Sequence, residues 1–375
     1  MRSVYRSINA AFSVGNIELA QWLMDEVGID PECSQVLHGA AVNGYVDILQ
    51  WFQDNGKYTE ADAGTLVKAA VAGQLKVVQW IIDRDRKDDT LGYESGPDDG
   101  DRPRRTYITC LGGEARLAIH AAAINGHLEV AKYLHAKIDK PLNQAERELE
   151  TRRLSQRIRE LWSCFRRSAY PNIDDVIKEL SEETMMLAAE RGFLDVVKWL
   201  YTQYHADPTV SLFWIRGHVG EYGHSYNPID GFCSVVDAAA GKGHLAIVQY
   251  LLQVGGKAED KQFHKRRRTE THPDQINSHE VPASAGCTTV AMNVAATNGH
   301  LDVVQWLHAN CSQGCTTVAM DLAARNGHLE TVKWLHANRS EGCTTDAMDG
   351  AAGSGHLHVV KWLHEHRSES SSSDD

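Results

Sequence analysis

Ala323-Ala324-Arg325-Asn326-Gly327-His328-Leu329-Glu330-Thr331-Val332-Lys333-Trp334-Leu335 is the stretch on which the fold turns. Its second half returns 28 residues earlier as Gly299-His300-Leu301-Asp302-Val303-Val304-Gln305-Trp306-Leu307. It returns 28 residues later as Gly355-His356-Leu357-His358-Val359-Val360-Lys361-Trp362-Leu363. Each copy follows one upstream block: Cys287-Thr288-Thr289 with Ala291-Met292, Cys315-Thr316-Thr317 with Ala319-Met320, and Cys343-Thr344-Thr345 with Ala347-Met348. Fainter copies centre on Gly15, Gly44, Gly73, Gly126, Gly192 and Gly243, so the chain holds nine, with glycine spacings of 29, 29, 53, 66, 51, 56, 28 and 28. Internal repetition of this kind is the mark of a solenoid.

One copy implies its own geometry. On a helix at roughly 100° per residue, Leu301, Val303, Val304, Trp306 and Leu307 cover an arc of roughly 220°, which suits a helix wedged between neighbours. The helix before it carries small inward residues, Ala291, Ala295 and Ala296, so two such helices can approach closely. The glycine between them fits a positive φ at a helix C-terminus. The threonine at the start fits an N-cap. A helix–turn–helix of this composition cannot bury its apolar faces alone, and stacked copies can.

Ala-Ala-x-x-Gly-His-Leu-x-x-Val-x-x-Leu, as at 323–335, resembles the ankyrin repeat over nearly the whole chain. The family period is about 33 residues, against 28 or 29 here, and Cys-Thr-Thr-x-Ala-Met stands where the family has Thr-Pro-Leu-His. The nearest approach to the family form is Leu117-Ala118-Ile119-His120-Ala121-Ala122-Ala123. The missing residues fall between Leu307 and Thr316, where the family builds a β-hairpin finger. The expected fold is therefore all-α: an ankyrin-like helical-repeat solenoid with stunted β-fingers and four insertions. The resemblance implies a non-catalytic scaffold or adaptor that binds a protein partner.

Segments follow from the spacings. Repeats 1–3 occupy 1–83, repeat 4 occupies 110–136, repeat 5 181–201, repeat 6 232–254 and repeats 7–9 287–367. The insertions are 84–109, 137–180, 202–231 and 255–286, all on one edge of a regular solenoid. The first reads as a charged flexible loop, from Arg84 to Arg105, and the last as a loose one. The third is aromatic and glycine-rich, with Gly217-His218-Val219 as the relic of a repeat. In the second, Leu154, Ile158, Leu161, Trp162 and Phe165 form one apolar helical stripe among arginines, and Ile173, Val176, Ile177 and Leu180 a short second helix. The arginine-rich helix reads as packed on the host fold, with a calmodulin-type target or a membrane-surface helix as the alternatives. The acidic, serine-rich tail 368–375 reads as disordered.

Bulk properties narrow the classes. A formal charge of −12 and a pI near 5.9 argue against general nucleic-acid binding. No apolar run reaches the roughly 18 residues of a membrane span. Met1 to Ala11 carries Arg2 and Arg6 without an apolar core, unlike a signal peptide. Eight cysteines without an export signal read as reduced thiols, in the cytoplasm, the nucleus or both. No phosphate loop, dinucleotide fingerprint or nucleophile elbow occurs, and no cofactor or metal is expected.

Each residue type able to do chemistry also has a simpler role here. The registered His300, His328 and His356 read as turn residues bonded to backbone, with a metal ladder as the alternative. Cys287, Cys315 and Cys343 read as buried structural thiols, with Cys311, Cys315 and His308 as an incomplete zinc set. His218, Glu221 and His224 offer the alternative function, an enzyme or metal site in 202–231. Lys265, Arg266, Arg267 and Arg268 read as a solvated run or a nuclear import signal. Positions that differ among repeats 7–9 mark the expected partner surface, together with the insertion edge: Val290, Asn293, Thr297 and Asn298; Val318, Asp321, Arg325 and Asn326; Asp346 and Asp349. Trp306 reads as buried scaffold. Val359 or Trp362, with Val4, Ile8 and Phe12 at the other end, are expected partly bare, which suggests end-to-end self-association.

Overall fold

The computed structural model describes residues 7–8, 10–12, 14–27, 33–54, 63–90, 108–137, 173–206, 210, 212–216, 232–255 and 288–367. They fall into two compact bodies, Met1–Leu180 and Ser181–Asp375.

In the first body, helical residues 7–8 and 10–12 precede α1 (Ile17–Val27), and three helix pairs follow: α2 (Cys33–Asn43) with α3 (Val46–Asp54), α4 (Ala63–Val71) with α5 (Leu75–Thr90), and α6 (Ile108–Ile124) with α7 (Leu128–Lys137). First helices stack on first helices, α2 on α4 and α4 on α6. The alanine pairs make this contact: Ala40, Ala41, Ala69, Ala70, Ala121 and Ala122 are all buried. Second helices supply the larger side chains, Ile48, Leu49, Val77, Val78, Val130 and Leu134, to the same core. Burying one such aliphatic side chain is worth about 1.5–3 kcal/mol.

The second body takes over within α8 (Ile173–Glu190) and continues with α9 (Leu194–Tyr204), α10 (Val235–Gly241), α11 (Leu245–Gly255), α12 (Thr289–Thr297), α13 (Leu301–Asn310), α14 (Thr317–Arg325), α15 (Leu329–Asn338), α16 (Thr345–Gly353) and α17 (Leu357–Arg367). The first-helix column runs α10, α12, α14, α16 by direct packing. Val303, Val304, Leu307, Val332, Leu335, Val359 and Leu363 are buried behind it.

Each inter-helix glycine, from Gly15 to Gly355, has φ between +72° and +83°, as the sequence required. A second requirement emerges from the stacking. Within each body, the residue after one glycine lies over the glycine of the preceding repeat. A Cβ built at Gly299 would stand 2.5 Å from His328 Nδ1, and one at Gly327 2.6 Å from His356 Nδ1. His300, His244 and His127 cover Gly243, Gly192 and Gly73 in the same way. Gln74 and Tyr45 take the position over Gly44 and Gly15.

Several sequence expectations change. Arg84 is not the start of a loop: α5 runs to Thr90, since no glycine or proline intervenes before Gly92. The short helix expected from Ile173 is continuous with the first helix of repeat 5. Helices α6 and α8 span 17 and 18 residues against 9 in α12, so the insertions before them lengthen the first helix. The chain is not wholly helical. Strand β1 (Trp214–Arg216) pairs antiparallel with β2 (Phe232–Ser234), with Ile215 opposite Cys233. Aromatic and β-branched residues favour this ribbon, and it delivers Ser234 as the N-cap of α10.

The end residues divide: Ile8, Phe12 and Val359 are not bare, whereas Trp362 is partly so, as expected. Ile8 and Phe12 are buried, Phe12 against the Trp51 and Phe52 rings at 5.9 and 5.2 Å. Val359 is fully buried, whereas Leu357 is 62% exposed. Trp362 is half-buried. Val4, the helix expected at 152–167 and the tail 368–375 lie outside the described residues.

Candidate functional site

The first-helix face of repeats 7–9 is built from two kinds of variable position. One kind is internal. Asn293 and Asp321, expected on the surface, are 9% and 8% exposed. Asp321 Oδ1 accepts from Thr344 N at 2.8 Å, and Oδ2 from Thr344 Oγ1 at 3.0 Å. Asn293 has the same role in the preceding repeat: its Nδ2 donates to Thr316 Oγ1 and its Oδ1 accepts from Thr316 N, both at 3.0 Å. In repeat 6, Asp237 accepts from Thr288 Oγ1 at 2.9 and 3.0 Å. The position varies between Asp and Asn because either can accept from the threonine that opens the next repeat. It ties adjacent repeats together, and its variation is not a mark of an outside partner.

The clamp changes the cap. Thr288 and Thr344 donate to Asp, and their oxygens still accept from Val290 N and Asp346 N at 3.0 and 3.1 Å. Thr316 Oγ1 accepts from Asn293 and makes no cap bond to its own helix. The expected threonine N-cap bond therefore forms at Thr288 and Thr344, whereas Thr316 holds the cap position without it.

Half-buried Asn298 and exposed Asn326 also bond back to the repeat before them. Asn298 Nδ2 donates to Gly241 O at 3.0 Å, and Asn326 Nδ2 to Thr297 O at 2.8 Å, each in the preceding repeat. The hydroxyl of Thr297 donates to Asn293 O within its own helix. Val290 is half-buried.

The second kind of position is external. Val318 is 41% exposed, and Arg325, Asp346 and Asp349 are exposed. With Asp321, Leu322, Gly350, Gly353 and Ser354 they line a cleft of about 510 Å³ across α14 and α16. The cleft exists because Gly350 and Gly353 stand where repeat 8 has Leu322 and Arg325. Gly350 is filled from above: a Cβ there would lie 3.0 Å from Arg325 Cβ and 3.2 Å from Cγ. Gly353 has nothing within 4 Å of its Cβ position. Among the described residues, the side chains of Arg325, Asp346 and Asp349 make no hydrogen bond or ion pair.

The opposite face carries a ladder of rings. His308 meets Trp334 edge-on at 5.2 Å, and His336 meets Trp362 likewise at 5.2 Å. Trp306, Trp334 and Trp362 are half-buried rather than enclosed, so Trp306 is less buried than expected. Where the finger is stunted, residues 311–316 and 339–344 contain no strand. Neighbouring junctions are joined instead by Arg339, which pairs with Glu341, donates to His308 Nδ1 at 3.2 Å and lies over Gly314. The pair holds the Glu341 carboxyl below its ordinary value, and burial pushes the Cys315 thiol up.

Three further groups carry clear shifts. Burial raises the Asp237 carboxyl to about 8, against the opposing Thr288 hydroxyl and Ala291 N–H. Burial lowers His120 to about 3, assisted by His135 and Arg116. His328 is lowered by burial and by His300 and His356, against a bond to the Thr297 backbone. With His244 Nε2 3.0 Å from Glu190 O, these contacts place the registered histidines on the preceding turn.

Among the described residues no group of three or more His, Cys, Asp or Glu could hold a metal. Cys315 is buried and Cys311 and Cys343 are half-buried, and none of the three is in a disulfide. No helix there is long and apolar enough to cross a membrane. Cys287, His218, Glu221, His224 and the basic residues Lys265, Arg266, Arg267 and Arg268 lie outside the described residues.

Sequence comparison adds two matches. Residues 291–374 match the family described as Ankyrin repeats (3 copies), and residues 66–135 that described as Ankyrin repeats (many copies). No curated protein matches the chain.

Proposed function

With ankyrin repeats, a protein–protein interaction module, present in this chain, we propose that it is a non-catalytic scaffold or adaptor that engages a protein partner through the outer face of its first helices and the adjoining insertion edge. The observation that carries this reading is the division of labour in repeats 7–9. Residues held constant, such as Ala291, Ala319 and Ala347 with Leu307, Leu335 and Leu363, are consumed by packing. The side chains of Val318, Asp346 and Asp349, and the exposed end of Arg325, project from the same helices and make no hydrogen bond or ion pair among the described residues. Side chains free of structural duty on a rigid, repeated surface are what recognition requires.

The test is site-specific photocrosslinking in the full chain. A crosslinking side chain at Arg325 or Asp349 should capture a discrete partner protein from cells. The same group at Lys333 or Lys361, on second helices, should not. Capture from the second-helix positions alone would overturn the assignment of faces.

A further inference from the structure

We propose that the cleft between α14 and α16 receives a lysine or arginine side chain, next to an apolar one, from a peptide segment of the partner. The inference rests on the reading of the first-helix face as the partner surface and specifies the chemistry that face accepts. Its first ground is shape. At about 510 Å³ the cleft lies within the range of ligand-sized recesses, roughly 300–1,000 Å³. Its floor is open at Gly353, where both preceding repeats carry a side chain, Thr297 and Arg325.

The second ground is charge. Three carboxylates, Asp321, Asp346 and Asp349, face one guanidinium, Arg325. Both oxygens of Asp321 are engaged by Thr344. The carboxylates of Asp346 and Asp349 have no partner among the described residues. The Arg325 stem lies over Gly350, and its guanidinium makes no ion pair among the described residues. The recess is therefore net acidic, and its unoccupied acceptors sit on one wall. Val318, 41% exposed, and Leu322 form an apolar strip beside them. A cationic side chain can reach both carboxylates, and an adjacent aliphatic residue can lie on Val318. The net charge of −12 on the whole chain attracts a basic segment over longer range.

The experiment is selection of a random-sequence peptide library on the full chain, followed by fluorescence anisotropy of the enriched peptides. Peptides with Lys or Arg beside an apolar residue should be enriched. Their affinity should fall about tenfold or more in D346N/D349N, and further as salt rises. Gly353→Leu should block them by filling the cleft. Its side chain enters open space without positive φ, so the melting midpoint should not fall. Basic peptides with undiminished affinity for both variants would overturn the cleft as the site while leaving the first-helix face as a partner surface. Enrichment of acidic peptides whose binding is lost in Arg325→Ala would overturn the proposed chemistry. Failure to enrich any peptide would overturn the proposal as well, and the photocrosslinking result would then decide the broader reading separately.

Discussion

Replacing Gly299 by alanine separates the two demands that the repeat makes on its inter-helix glycine. The first is conformational: φ is +75°, and an L-residue in the left-handed region costs about 1–2 kcal/mol. The second is steric. The new Cβ would stand 2.5 Å from His328 Nδ1 and 2.8 Å from Cγ and Cε1. That ring is part-buried and bonded to the Thr297 backbone, so it cannot withdraw freely, and overpacking of this kind costs about 1–3 kcal/mol. Gly355 supplies the control, with φ +80° and nothing within 4 Å of its Cβ position. Gly355→Ala should therefore cost about 1–2 kcal/mol and Gly299→Ala about 2–5 kcal/mol. In the double variant G299A/H328A the steric cost disappears, leaving a coupling of about 1–3 kcal/mol in the cycle. The assay is denaturant unfolding of the full chain followed by circular dichroism, with hydrogen exchange over 289–338 to localise the loss. Equal costs at Gly299 and Gly355, or no coupling between Gly299 and His328, would refute the account of histidine stacking.

Two more expectations follow from the clamp residues. Asp321→Ala should destabilise by about 1–3 kcal/mol, since it removes two charge-assisted bonds to an exposed threonine that water partly replaces, whereas Asp349→Ala, at the same repeat position without a clamp partner, should stay within about 0.5 kcal/mol in the same unfolding assay. Asp237 gives a pH signature: with its folded value raised to about 8, the native state holds a proton between about pH 4 and 8 that the unfolded chain has lost. Stability should therefore fall as pH rises through that window, by about 1.4 kcal/mol per unit. His120, lowered to about 3, acts in the opposite sense, so its contribution is lost as pH falls from about 6.5 towards 3. Asp237→Asn should flatten the first slope and leave the second, as read by thermal melts across pH.

The sequence by itself determined the repeat, the helix pairs and the positive-φ glycines, because these depend on neighbours within about ten residues and are written nine times over. The alanine pairs likewise announced the close first-helix column, since only small side chains allow it. What varies between copies was harder to interpret. Asn293 and Asp321 differ as freely as surface residues do, and only the arrangement of successive repeats shows each one facing a threonine 23 residues further on. Arg325 and Asp349 vary in the same way yet remain outside, and together with the open floor at Gly353 they make a cleft that no single repeat contains. The apolar set of the last helix divided by its phase: Val359 points into its own repeat and is buried, while Leu357, half-buried at the equivalent positions Leu301 and Leu329, stands 62% exposed. The ribbon of Trp214–Arg216 with Phe232–Ser234 was hidden because its strands are three residues each and 15 residues apart in sequence. A period in the sequence states which residues are equivalent. Burial and bonding depend on what each equivalent residue meets across the repeat boundary, and that distance exists only in the folded chain.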